Sequence, residues 1–204
     1  MTLIGIGGRM TLIGIGGRLG AGKDTAASVL IREYGFQRLG FADALKIELR
    51  TLYPRTLREI ARLVYGVGAW SSVEAADAVV AQCLAEKPAA IRALLQEHGT
   101  EVRRAEDPGY WLTRLDRTLA GLAPSARVVV PDVRFPDEAA WLRDRGAWLV
   151  RVLRQEALDP DAHPSESNGE VIPWDALWFN DDSREAFEAR VRAWAEEARR
   201  HGRL

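Results

Sequence analysis

Nine residues, Gly17-Arg18-Leu19-Gly20-Ala21-Gly22-Lys23-Asp24-Thr25, bring together the groups needed to hold a polyphosphate. Glycines at 17, 20 and 22 let the backbone curl so that the N–H groups of this stretch, Ala21 included, point at phosphate oxygens. Lys23 follows, a compact ammonium able to reach β and γ phosphates, and Arg18 adds a second cation. An apolar run (Leu12, Ile13, Ile15) precedes the loop, and a helix-compatible run, Ala26-Ala27-Ser28-Val29-Leu30-Ile31, follows it. Strand, glycine turn, lysine and helix form the context of a nucleotide-phosphate loop. The helix contributes the positive end of its dipole. The bland alternative is a glycine turn that only joins strand to helix.

Such loops usually carry Ser or Thr after the lysine, with a hydroxyl that ligates magnesium. Here Asp24 comes first and Thr25 second. Asp24 either holds Mg²⁺, directly or through water, or favours the first helical turn through the dipole.

Further candidates lie where a parallel sheet presents its ligands, at the carboxyl ends of strands. Asp132 follows Val128-Val129-Val130-Pro131, the position of a metal-holding aspartate. Arg134 stands two residues on, and the pair would otherwise be a structural ion pair. Arg151 falls inside an apolar strand, where a charge needs a partner or ligand to offset desolvation; Arg154, just past that strand, would reach the cleft. In Phe41-Ala42-Asp43-Ala44-Leu45-Lys46, Asp43 either caps a helix or touches substrate. Arg103 and Arg104, in Gly99-Thr100-Glu101-Val102-Arg103-Arg104, taken alone read as a solvated helix face. Asp107-Pro108-Gly109-Tyr110-Trp111 follows them.

Alternating elements must position these residues. Leu12–Gly16 reads as strand one, Lys23–Tyr34 as a helix ended by Gly35, and 36–41 as a short strand two. From Ala42 to about Leu122 the pattern is helical, punctuated by Pro54, Gly66-Val67-Gly68, Pro88 and Asp107-Pro108-Gly109. Arg127–Val130 is a continuous apolar strand of the buried parallel kind. A helix over Glu138–Arg145, a strand over Ala147–Leu153, a polar loop or lid over 155–173, a strand over Ala176–Phe179 and a charged helix over Ser183–His201 complete the chain. The alternation predicts a doubly wound parallel α/β sheet of five strands. The helical stretch 42–122 is then an inserted substrate-binding region.

With 204 residues and 47% hydrophobic content, the chain suits one domain with an insertion. The net charge of −1 argues against wholesale binding to nucleic acid or anionic membrane. No apolar stretch approaches the ~18 residues of a membrane span, and no signal-peptide pattern opens the chain. The lone Cys83 reads as a buried thiol in a reducing cytoplasm. Three lysines stand against 25 arginines, which singles out Lys23 and Lys46. Residues 1–9 recur unchanged at 10–18, but only the second copy runs on into a phosphate loop. The first copy therefore reads as a duplicated start outside the fold, with an added edge strand as the alternative, and 10–204 as the folded domain.

Six segments carry a family likeness. They are Gly20–Thr25, Phe41–Lys46, Gly99–Arg104 with Trp111, Asp132–Glu138, His163–Glu166 (matching only loosely) and Asn180-Asp181. Together they resemble the phage-type deoxynucleoside monophosphate kinases, within the P-loop nucleoside monophosphate kinases. The resemblance covers most of 10–204, while 72–87 matches no element of it. It implies a three-layer P-loop kinase sandwich that transfers the ATP γ-phosphoryl group to a (deoxy)nucleoside 5′-monophosphate with Mg²⁺. ATP phosphates would be held by Gly17, Gly20, Ala21, Gly22, Lys23, Asp24 and Thr25, with Asn180 bordering the adenine. Asp24, Thr25 and Asp132 would form the metal shell. The acceptor would meet Asp43, Lys46, Arg103, Trp111, Arg134 and Glu138, and Arg154 would act on the transferring group. The resemblance admits a homodimer. Rival readings are a dephospho-coenzyme A or phosphomevalonate type of kinase, which leaves Gly99–Arg104 with Trp111 unexplained, and a nucleotide-binding regulator without turnover.

Overall fold

A computed structural model describes residues 10–66, 72–155, 171–202 and 204. The duplicated stretch 1–9 and the His163–Glu166 segment lie outside them. The chain divides into two compact units. One holds the described residues up to Phe41 together with Asp116–Leu204, and the other is Ala42–Leu115.

The first unit is built on a five-stranded, all-parallel sheet in the order β2-β3-β1-β4-β5. Its strands are β1 (Thr11–Gly16), β2 (Gln37–Arg38), β3 (Arg127–Val133), β4 (Trp148–Leu153) and β5 (Ala176–Phe179). The α/β class and the five parallel strands follow the sequence reading. Helix α1 (Lys23–Tyr34) and the C-terminal helix, α8 (Arg184–Arg200), cover one face. There Ile13, Ile15, Val129, Val150 and Val152 pack with Val29, Leu30, Phe187 and Val191 in one buried cluster. On the other face lies α7 (Pro136–Asp144): a methyl group added to Gly14 would meet Leu142 of α7 at 2.9 Å and Leu149 at 2.8 Å. The result is a three-layer sandwich with β1 at its centre, so the loop leaving β1 is flanked by the ends of β3 and β4.

Strand two is shorter than the sequence reading, because Phe41 already opens a helix, α2 (Phe41–Leu52). Strand three is longer. Its pairing runs Gly14↔Val130 and then Gly16↔Val133, so one extra residue on β3 makes a bulge. The bulge accommodates Pro131, which has no N–H to give the ladder, and the strand continues through Asp132.

The second unit is helical. It contains the rest of α2, then α3 (Pro54–Tyr65), α4 (Val73–Glu86), α5 (Ala89–Gln96) and the start of α6 (Tyr110–Ala120). The sequence punctuation has physical counterparts. Pro54 occupies the first turn of α3, where a missing N–H is harmless. Ser72 caps α4 by accepting the Ala75 N–H, and Pro88 precedes α5. Cys83 is buried within α4, and burial pushes its thiol pKa up. One element was not foreseen. Glu97–Arg104 continues from α5 as a π-helix, a wider turn that often marks a functional site.

Candidate active site

The phosphate loop leaves β1 as the glycine spacing requires. At Gly17 φ is 141°, and an added Cβ would sit 2.5 Å from the Val152 carbonyl oxygen. At Gly22 φ is 107°, and a Cβ there would lie 2.4 Å from Asn180 Nδ2. Neither position tolerates a side chain. Lys23 bends back over the loop, its Nζ donating to the carbonyls of Gly17 and Arg18, both at 2.7 Å. This holds the ammonium over the concave side, where three rotatable donors can exchange carbonyls for phosphate oxygens. Asp24 is exposed and Thr25 half-buried, both in the first turn of α1.

Beside this loop lies a cleft of about 520 Å³ lined by Arg18, Ala21, Arg151, Arg154, Phe179 and Asp181. The structure thus gathers Arg151 and Arg154 with the loop residues. Phe179 was missed by the sequence reading. It is 50% exposed beside buried Trp178, an aromatic left on the surface at a strand end. Its only sequence signal is its place before the Asn180-Asp181 turn.

Asn180 stands between Phe179 and Asp181, directly after β5. It is 8% exposed, and its Nδ2 donates to the Ala21 carbonyl at 2.8 Å while its N–H donates to the Leu153 carbonyl. It clamps the phosphate loop from the end of β5. Asn180→Asp keeps the shape but replaces the donor with an oxygen facing an oxygen. We expect KM for ATP to rise about tenfold, with KM for the acceptor unchanged, since a buried unmatched polar group costs about 1–3 kcal/mol. Steady-state kinetics with each substrate varied in turn checks this.

Asp132 lies at the end of β3, its Oδ1 accepting the Phe41 N–H at 3.2 Å. A side chain at Gly40 would stand 2.7 Å from Oδ2, so the chain passes directly over this carboxylate. The ion pair with Arg134 does not form: Arg134 is exposed, and among the described residues no salt bridge joins the two. Glu138 belongs to the same strand-end turn. It is 3% exposed, and its Oε2 accepts the N–H groups of Arg134 and Phe135, capping α7 and shaping the turn that carries Arg134. Asp43 is not an N-cap, because it sits two residues inside the start of α2, in the first turn. Lys46 is half-buried on the same helix.

In the second unit, Trp111 stands near the start of α6. It is buried, and its Nε1 donates to the Gly99 carbonyl at 2.9 Å, so it braces the π-helix. Arg103 lies in a cluster centred on Glu48, a residue the sequence reading overlooked. Glu48 Oε1 accepts from His98 Nε2 at 2.9 Å and Arg103 Nε at 2.6 Å; Oε2 accepts from the Tyr110 hydroxyl at 2.6 Å. Burial raises the Glu48 pKa, but the bonds from Tyr110, His98 and Arg103 outweigh it and bring the pKa to about 2. The folded value lies below the usual 4.5, so the stabilisation is complete above pH 4.5 and is lost as pH falls toward 2. It amounts to about 3 kcal/mol. Urea unfolding should show this decrement in the wild type and not in Glu48→Gln.

A family model described as deoxynucleotide monophosphate kinase matches residues 66–191. The chain belongs to the deoxynucleotide monophosphate kinase family. The matched span begins after the phosphate loop, so loop geometry and family match are independent observations. A protein of Acanthamoeba polyphaga mimivirus, named provisionally as a deoxynucleotide monophosphate kinase, is 29% identical over 192 residues, covering 84% of this chain and 89% of that protein. The crystal structure of TT1252 from Thermus thermophilus is 22% identical with a TM-score of 0.45, covering 93% of this chain and 98% of that one. As a member of this family the chain is a transferase acting on nucleoside monophosphates, with ATP as donor and a divalent metal ion. The rival kinases and the regulator reading lose their footing. Among the described residues no helix is long and apolar enough to cross a membrane.

Proposed function

We propose that this kinase holds the ATP phosphates on the Gly17–Thr25 loop and transfers the γ-phosphoryl group to a deoxynucleoside 5′-monophosphate. The observation that carries the reading is Lys23, bonded across the carbonyls of its own glycine loop at the end of the central strand. Phosphoryl transfer needs positioning and charge stabilisation more than covalent chemistry. A protein of net charge −1 must therefore concentrate cations locally to join two polyanions. Lys23 and Arg18 serve the ATP phosphates, and Arg154, beside the same cleft, stabilises the transferring group. Phe179 offers a flat face for the adenine. Arg103 holds the acceptor phosphate as a charge-assisted fork, for which lysine is a poor substitute.

Magnesium is the metal we assign. The available donors fit it: Asp24, Thr25 and Asp132 offer hard oxygens, and among the described residues no cluster of three or more His, Cys, Asp or Glu forms a protein cage. A Mg²⁺ ion bound by one or two protein oxygens takes its other ligands from phosphate and water. When bound, it neutralises phosphate charge. The near-neutral surface and buried Cys83 thiol support a cytoplasmic enzyme acting on free nucleotides, not nucleic acid.

The test is phosphoryl transfer from Mg-ATP to the four deoxynucleoside monophosphates, their ribo counterparts, dephospho-coenzyme A and phosphomevalonate. Diphosphate formation from at least one deoxy acceptor is expected. Turnover of only the last two acceptors would overturn the reading.

A further inference from the structure

We propose that Glu48 is the positioning residue of the acceptor-phosphate site: half-buried on α2 and bonded to the π-helix and α6, it fixes the Arg103 guanidinium by one edge and so presents the opposite edge to the phosphate. The proposal rests on the reading of Arg103 as an acceptor ligand.

Glu48 has a side-chain exposure of 11%, and two elements, the π-helix and α6, contribute its partners. His98, 3% exposed, donates through Nε2, while its Nδ1 faces the Tyr53 hydroxyl at 3.4 Å. Tyr110 donates its hydroxyl to Glu48 and in turn accepts from Arg114 Nη2 at 2.8 Å. The guanidinium carbons of Arg103 and Arg114 each lie 5.1 Å from the centre of the Tyr110 ring. The Arg103 plane is therefore held by a carboxylate at its Nε edge and by an aromatic ring.

The other edge of Arg103 is committed only weakly. Nη1 donates to Glu106 at 3.2 Å, a carboxylate 65% exposed, and Nη2 is on a side chain that is 27% exposed. An exposed ion pair of this kind is worth little and yields readily to a dianion. A phosphate that replaced Glu106 would take Nη1 and Nη2 together, the bidentate geometry a guanidinium favours. A free arginine loses much rotamer entropy on binding, and Glu48 removes that loss beforehand. The π-helix supports this arrangement. Gly99 lies against Leu45, where a Cβ would come within 2.8 Å of Cδ2, and the Gly99 carbonyl is tied to Trp111. His98 and Arg103 both reach Glu48 Oε1 from this element.

The experiment compares Glu48→Gln, Glu48→Asp, Tyr110→Phe and Arg103→Ala in steady-state kinetics with each substrate varied, alongside thermal unfolding. Glu48→Gln is expected to raise KM for the deoxynucleoside monophosphate about tenfold or more, matching the loss of a charge-assisted bond. KM for ATP should stay at its wild-type value. Glu48→Asp, which keeps the charge one methylene short, should fall between, and Tyr110→Phe should be milder. If Glu48→Gln does not fold, the last two variants carry the same expectation and decide. An unchanged acceptor KM in the folded Glu48 variants, with a raised one in Arg103→Ala, overturns the positioning role while leaving the acceptor reading intact. An unchanged acceptor KM in Arg103→Ala overturns that reading, and the proposal with it. A purely structural cluster would lower the melting temperature and leave the ratio of the two KM values alone.

Discussion

Lys23→Ala will lower kcat by about 10²- to 10³-fold or more, the usual effect of removing one preorganised charge from a transferring phosphate. The melting temperature should hardly change. The Lys23 ammonium bonds the carbonyls of Gly17 and Arg18, both half-buried just past the end of β1, where water can replace it. The fold around the loop depends instead on glycine conformations and on the Asn180 clamp, neither of which the substitution touches. Lys23→Arg should rescue little. A planar fork cannot fill the place of a compact ammonium seated between two carbonyls 2.7 Å away. Kinetics on the purified variants, with calorimetry for stability, measures both effects. Near-wild-type turnover in Lys23→Ala would end the phosphate-loop assignment.

Asp132→Asn should be almost as damaging, on the order of 10²-fold or more in kcat, with a raised Mg²⁺ requirement. The substitution separates two roles of this side chain. An asparagine Oδ1 still accepts the Phe41 N–H that Asp132 takes at 3.2 Å, so the entry into α2 survives. The negative charge beside the phosphate loop is lost. Titrating Mg²⁺ at saturating ATP gives the metal requirement, and thermal unfolding gives the structural cost. If the variant melts early yet turns over normally once folded, Asp132 serves only to hold Phe41.

Local chemistry wrote much of this into the sequence. Gly17, Gly20 and Gly22 with Lys23 announce the phosphate loop, because positive φ angles and close backbone approach leave few other residues possible. Continuous apolar runs announce buried parallel strands, and Ser72, Pro54 and Pro88 mark helix starts by rules that act within one turn. What sequence could not determine is which polar side chains are consumed by the fold. Glu138, Trp111 and Asn180 all read as ligands, and each has a polar side-chain atom bonded to a backbone group. For Glu138 that partner is four residues away, within reach of a capping rule; for Trp111 and Asn180 the partners lie 12 and 159 residues away. The converse holds for Glu48, which looks like an ordinary helix carboxylate. Its bonds to His98, Arg103 and Tyr110 span 50 to 62 residues and exist only once three helical elements pack. The bulge at Pro131 belongs to the same class, since it is defined by pairing with β1 and not by β3 alone. Residue types and short spacings therefore set the chemistry on offer, while burial and long-range hydrogen bonding decided which groups remain for substrate.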